Sequence, residues 1–290
     1  MRKLLRGLMW LGALAFAGFG ILYWMVLPLL GAAQSPPDLD HLKGDARRGA
    51  YIATAAGCYA CHTDVKKGGK PYAGKHALKT PFGTFYTPNI TPDPQTGIGG
   101  WSVTDLTRAL TAGVSPAGEH YFPSFPYTSY TGMRAQDIAD LKAYLDTLTP
   151  VVHANRAHDV RWPFSDRRFL GAWKALFFTQ QKLVSGSSDE LDPARRGAYL
   201  ANVLGHCGEC HTQRNVLGGM TGKKLAGNTR GPDGGKVPGI TAMDKRNTPW
   251  SRQDVLMSLQ MGMPPDGDFV GGSMAKVVDH TPSKLKPEDL

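Results

Sequence analysis

The chain has 290 residues, 41% hydrophobic and 20% charged, a balance that excludes a disordered tail and allows two ordinary domains or one large one. Thirty-three Lys and Arg against 24 Asp and Glu leave a net charge of +9, but no basic run interleaved with aromatics reads as a nucleic-acid groove. Four cysteines are too few to staple a fold of this size, while 35 Gly and 21 Pro point to long loops.

The chain opens Met1-Arg2-Lys3-Leu4-Leu5-Arg6, and residues 7–31 then carry no charge. About 20 apolar residues cross a bilayer core as a helix, so this run is long enough. Trp10, Tyr23 and Trp24 are expected near the interfaces. Arg2, Lys3 and Arg6 belong on the cytoplasmic side, which sends the rest of the chain to the periplasm. Gly31-Ala32-Ala33 offers a cleavage site, yet the run exceeds the roughly 7–15 apolar residues of a signal peptide. Residues 1–33 therefore read as a retained single-pass anchor in the inner membrane, and 34–45, with Pro36-Pro37, as a linker.

An internal repeat organises the remainder. Ala46-Arg47-Arg48-Gly49-Ala50-Tyr51-Ile52-Ala53 returns as Ala194-Arg195-Arg196-Gly197-Ala198-Tyr199-Leu200-Ala201. Each copy runs into a cysteine pair, Cys58-Tyr59-Ala60-Cys61-His62 and Cys207-Gly208-Glu209-Cys210-His211, 149 residues apart. Trp101-Ser102 matches Trp250-Ser251, and Gly113 matches Gly262 at the same offset. The fold class is mainly α, with two similar domains, 46–150 and 193–290, and a connector over 151–192. Helices are expected over 46–56 and 194–204, leading into the motifs. Middle helices are expected over 104–112 and 252–261, capped by Ser102 and Ser251, and a third helix over 135–148. Its counterpart in the second copy is expected to begin near Pro287-Glu288-Asp289-Leu290, where the repeat reads as truncated. Arg47-Arg48 and Arg195-Arg196 read as solvated helix ends. Trp162, Phe164, Trp173, Phe177 and Phe178 in the connector call for burial.

All four cysteines fall in Cys-x-x-Cys-His motifs, the signal for c-type haem attachment. Two thiols three residues apart reach the two vinyl groups of one haem, and the following histidine supplies the proximal nitrogen. Paired zinc motifs are usually separated by about 15–20 residues, and a thioredoxin-like pair needs a βαβ setting. The sequence therefore calls for two covalently attached haem c groups. Cys58 and Cys61 hold the first and Cys207 and Cys210 the second, with His62 and His211 as proximal iron ligands.

The chain resembles the membrane-anchored cytochrome c subunits of bacterial periplasmic alcohol, aldehyde and gluconate dehydrogenase complexes. The resemblance rests on Thr87-Pro88-Asn89-Ile90-Thr91-Pro92-Asp93, Gly97-Ile98-Gly99-Gly100-Trp101, Gly113-Val114-Ser115-Pro116 and Gly205-His206-Cys207-Gly208-Glu209-Cys210-His211-Thr212. It implies two class-I-like cytochrome c domains in tandem after one transmembrane helix, although some of those subunits carry three haem motifs. It also places the distal ligand of the second haem at Met274, within Gly271-Gly272-Ser273-Met274-Ala275, with Met261 or Met263 as the alternative. At the same offset the first copy has Phe125, which cannot ligate iron. Met133 is the first alternative there, His120 the second, and an open iron the third.

The resemblance implies an electron-transfer subunit with no catalytic residues of its own. Its partner is a periplasmic dehydrogenase bearing a flavin, pyrroloquinoline quinone or molybdenum cofactor. The electrons then pass to quinone, a soluble cytochrome or a terminal oxidase. A haem enzyme of peroxidase or thiosulfate-oxidising type, using an open first haem, is the second reading. A cytochrome subunit of a terminal oxidase is the third.

Overall fold

The computed structural model describes residues 2–26, 34–242 and 250–290; the candidate cleavage site at 31–33 lies outside them. Helix α1 (Arg2–Ile21) runs into a π-helical turn, Leu22–Val26. Arg6–Val26 has a mean hydropathy of 1.7 and no buried residue, and is long and apolar enough to cross a membrane.

The first set of elements begins with α2 (Ala46–Ala55), whose N-terminus is capped by the Asp45 carboxylate accepting from the Arg47 and Arg48 amides. A left-handed residue, Gly57 at φ +63°, turns the chain into α3 (Cys58–His62), the first haem motif. A hairpin follows, β1 (Ala77–Thr80) against β2 (Gly83–Tyr86), with Ala77 opposite Tyr86. Helix α4 (Val103–Ala112) opens on a capping box between Ser102 and Asp105. The short α5 (Tyr127–Tyr130) and α6 (Ala135–Leu145) complete the set. Ile52, Ala53, Leu106, Leu110, Met133, Ile138 and Leu141 form the core between α2, α4 and α6. Helices α2 and α6 cross so closely that a Cβ on Gly49 would lie 1.9 Å from the Asp140 carbonyl oxygen. A glycine is therefore required there.

The connector carries β3 (Asp159–Val160), which adds to β2 in an antiparallel three-stranded sheet, and α7 (Arg168–Phe177). It straps both sets. Lys174 reaches back to α4, and Trp173 Nε1 donates to the Leu217 carbonyl at 2.9 Å. The burial expected of its aromatics is met only in part. Trp162 is 78% exposed and Phe164 41%, because the strap is a single layer lying on the surface. Phe164 meets the Phe82 ring edge to face, 4.9 Å between centres.

The second set repeats the pattern. Helix α8 (Pro193–Tyr199), capped by Asp192, continues as a π-helical turn, Leu200–Leu204, into α9 (Gly208–His211). Helix α10 (Arg252–Met261) has the same capping box, Ser251 with Asp254, and ends on left-handed Gly262 as α4 ends on Gly113. Helix α11 (Gly272–His280) and two 3-10 turns, Pro282–Lys284 and Pro287–Asp289, follow. The two middle helices differ in cover: α4 buries six residues and α10 none.

The paired arginines fall into two groups. Arg47 and Arg195 are exposed, Arg195 pairing with its neighbour Asp192, but Arg48 and Arg196 are held in long-range ion pairs rather than solvated. Arg48 faces Asp137 at 3.3 Å and Asp140 at 3.1 Å; Arg196 bonds Asp289 at 2.5 Å. Asp189 of the connector bridges the two arginines, at 3.0 Å from Arg48 and 2.8 Å from Arg196. The tyrosines of the repeat reach across: Tyr51 OH donates to Asp289 at 2.5 Å, and Tyr199 OH accepts from the Arg134 amide at 3.1 Å. The Lys286 amide likewise donates to Tyr51 OH at 3.1 Å. The two sets thus meet through Tyr51 and Tyr199.

Lys174 is 2% exposed, and its Nζ donates to the Ala112 and Gly113 carbonyls, each at 2.7 Å. It lies 4.7 Å from the centre of the Tyr127 ring and near His120. Burial pulls its ammonium down to about 7. Between pH 7 and its ordinary value near 10.4 the unfolded chain therefore binds a proton that the folded chain does not. Stability is expected to rise by about 1–4 kcal/mol as pH climbs through that window, and Lys174→Met should flatten the slope. Denaturant unfolding at stepped pH reads both.

Candidate haem attachment sites

Each motif sits on one turn of helix after a left-handed residue, which brings its two thiols and its histidine to one short segment. His62 Nδ1 lies 2.8 Å from the Pro88 carbonyl oxygen, and His211 Nδ1 lies 2.7 Å from that of Pro238. A carbonyl only accepts, so each Nδ1 carries the proton and each Nε2 keeps its lone pair. Burial lowers both imidazoles below their usual range, which favours the neutral form that ligates iron.

The loops behind the two histidines match bond for bond. The His62 carbonyl accepts from the Gly74 amide and the His211 carbonyl from the Gly227 amide, both at 2.8 Å. Thr63 Oγ1 accepts from the Tyr72 amide and Thr212 Oγ1 from the Leu225 amide, both at 3.1 Å. Gly74 has φ +78°, and a Cβ on it would lie 2.5 Å from the Pro88 carbonyl carbon. A side chain there would displace the carbonyl that orients His62. Sequence reasoning missed these prolines and glycines. The available signal was a repeated proline, 26 residues after His62 and 27 after His211.

All four thiols are unpaired. Burial raises every one, Cys58 to about 12 and Cys210 to about 11, so they stand as neutral thiols. Among the described residues no three His, Cys, Asp or Glu side chains converge as a metal cluster. The two cysteines and the histidine of each motif lie along one short helix, Cys58–His62 in the first set and Gly208–His211 after Cys207 in the second. Unpaired thiols beside a histidine locked in one tautomer fit a covalently attached haem.

The chain is similar to known proteins. A family model for cytochrome c matches residues 46–149. A dihaem cytochrome c-type protein of Cereibacter sphaeroides is 45% identical over 271 residues, 92% of this chain and 88% of that protein. The chain belongs to the cytochrome c family. As a c-type cytochrome it carries electrons on covalently bound haem. It is also similar to a nicotinate dehydrogenase subunit of Pseudomonas putida, at 38% identity over 93% of this chain and 23% of that protein. The gluconate 2-dehydrogenase cytochrome c subunit of Pantoea cypripedii is 36% identical over 90% of this chain and 61% of that protein.

The candidate distal residues of this cytochrome lie in different surroundings. Met133, in the turn between α5 and α6, is 1% exposed and belongs to the core cluster that packs against Cys58. His120 is half-buried against the connector, its carbonyl accepting from Arg167 at 2.6 Å and its Nδ1 without a protein partner. Burial depresses its imidazole to about 4. Phe125 packs among Tyr121, Tyr127 and Tyr130 with ring centres 5.7–6.4 Å apart. Met274 is half-buried in the first turn of α11, next to Ser273, whose amide donates to Asp233 at 2.7 Å. Of the remaining histidines, His158 packs on Phe85 and Phe122, and His280 on Tyr59.

Proposed function

We propose that this cytochrome is a membrane-anchored dihaem electron-transfer subunit, with residues 1–33 as anchor and two tandem cytochrome c domains, 46–150 and 193–290, in the periplasm. One observation carries the reading. Two Cys-x-x-Cys-His sets each have a histidine oriented by a proline carbonyl, and Thr128 and Ser129 of the first set bond Glu209 inside the second motif. Bound there, haem supplies one-electron exchange. The chain's residues fix its place: Cys58 and Cys61, then Cys207 and Cys210, tether it, and His62 and His211 present Nε2. Met133 supplies the distal sulfur of the first site and Met274 that of the second. Met133 is preferred over His120 because it shares a core cluster with Cys58.

The partner is a dehydrogenase whose flavin, pyrroloquinoline quinone or molybdenum cofactor oxidises the substrate. Quinone, a soluble cytochrome or a terminal oxidase accepts the electrons. The names of the nicotinate and gluconate dehydrogenase relatives support this. Affinity purification of the tagged full-length protein from native membranes, followed by mass spectrometry, tests it. A stoichiometric dehydrogenase is expected; an oxidase core in its place overturns the assignment.

Met133→Leu separates the distal alternatives. The first haem is expected to stay attached but to lose its sixth ligand. Carbon monoxide, without effect on that haem in the unmodified protein, then shifts its reduced spectrum. Met133→His should instead lower the midpoint potential by on the order of 0.1 V, within the roughly 0.8 V range that axial ligands span. A carbon monoxide response in the unmodified protein would favour the open-iron enzyme, and a response confined to His120→Ala would make His120 the ligand.

A further inference from the structure

The residue before Cys207 is out of place by backbone rules. His206 has φ +39°, a left-handed conformation that costs a side-chain-bearing residue on the order of 1 kcal/mol. The position before Cys58 in the first set is Gly57, at φ +63°. The turn into each motif therefore suits glycine, and the second motif carries histidine there despite the strain.

The ring accounts for it. The His206 ring reaches towards the Ala56 carbonyl, two residues before Cys58, through Tyr130. The same carbonyl accepts from Tyr130 OH at 2.8 Å. The Tyr130 and His206 rings meet edge to face, 5.6 Å apart at 80°. The two residues before Tyr130 reinforce the contact: Thr128 Oγ1 and Ser129 Oγ donate to Glu209, inside the second motif, at 2.5 and 2.8 Å. From Cys207 to Cys58 the path is His206, its ring contact with Tyr130, the Tyr130 hydrogen bond, Ala56 and Gly57.

We propose that His206 and Tyr130 are positioning residues that lock the two haem-attachment motifs together, and that electron exchange between the two haems depends on this junction. The inference rests on the dihaem reading above. Each exchange moves one electron: the iron that is oxidised loses it, the iron that is reduced gains it, and no proton or covalent bond changes. Electron tunnelling falls steeply with separation and with breaks in the bonded path, so the Tyr130 bridge between the two motifs is where the chain most directly governs it.

The test uses the full-length protein with both haems attached. His206→Gly relieves the backbone strain while removing the ring, so its thermal midpoint should not fall as that of a misfolded variant would. Tyr130→Phe keeps the ring and removes one bond to Ala56. A photoreductant flash loads one electron, and the absorbance of the two haems follows its redistribution; a spectroelectrochemical titration gives both midpoints. In His206→Gly both haems are expected to load with unchanged spectra, while redistribution slows severalfold because the ring contact with Tyr130 is gone. Tyr130→Phe should slow it less. A rate within about twofold of the unmodified protein in His206→Gly overturns the junction alone. An unmodified protein with one haem, or with no redistribution, overturns the dihaem reading and this proposal with it.

Discussion

A protein in which Cys58 and Cys61 are both alanine is expected to carry one covalently bound haem per chain where the unmodified protein carries two. The two thioether bonds of a c-type haem need both thiols, and His62 alone would leave a group that denaturation and extraction remove. The loss should stop at the first site, because each motif is held by its own loop. Pro88 and Gly74 serve His62, and Pro238 and Gly227 serve His211. Cys207→Ala with Cys210→Ala is the mirror experiment and should leave the other haem. Haem absorbance per unit of protein, with the mass of the intact chain, reads the stoichiometry. Each single-haem protein then reports the midpoint of the haem it keeps, which assigns the two potentials to their sites. Full haem content after loss of Cys58 and Cys61 would show that this motif is not an attachment site.

What was legible in the sequence is what depends on neighbours within a few residues. The helices beginning at Ala46, Val103 and Ala135 follow from apolar spacing, and the caps at Ser102 and Ser251 follow from a serine with an aspartate three residues on. The Cys-x-x-Cys-His motifs declare their own chemistry. What was not legible depends on partners far along the chain. The arginine pairs looked like solvated helix ends because Asp137, Asp140 and Asp289 lie about ninety residues away from them. The proline carbonyls that orient the histidines are backbone groups and leave no side-chain signal. Trp162 reads as a core residue by type, yet it sits on a strap with no second layer to cover it. The π-helical turn at Leu200–Leu204 replaces the regular end of the helix that the repeat called for. It lets the chain reach the strained His206, a feature that composition does not encode.

Arg48→Met should destabilise the folded protein by about 3–5 kcal/mol, or roughly 10 °C in unfolding midpoint, far more than a surface arginine would. Asp137 and Asp140 have fully buried side chains, and Arg48 ion-pairs with both. Asp137 Oδ1 also accepts from the Ser188 amide at 3.0 Å, and Asp140 Oδ1 from the Asp45 amide at 2.8 Å, so neither can turn to solvent without breaking the connector or the α2 cap. Methionine fills the arginine stem's volume but strands two buried carboxylates, and the cost of the variant is that of uncompensated charge rather than lost packing. Asp140→Asn and Asp137→Asn added to Arg48→Met should therefore recover part of the loss, because an amide keeps its shape and its backbone bonds without the charge. Arg196→Met should cost less, since it faces one buried carboxylate, Asp289, and one exposed one, Asp189. Thermal unfolding of the haem-loaded variants measures the series. If Arg48→Met and Arg196→Met lose the same small amount, below about 1 kcal/mol, stranded charge does not set the cost and the argument fails.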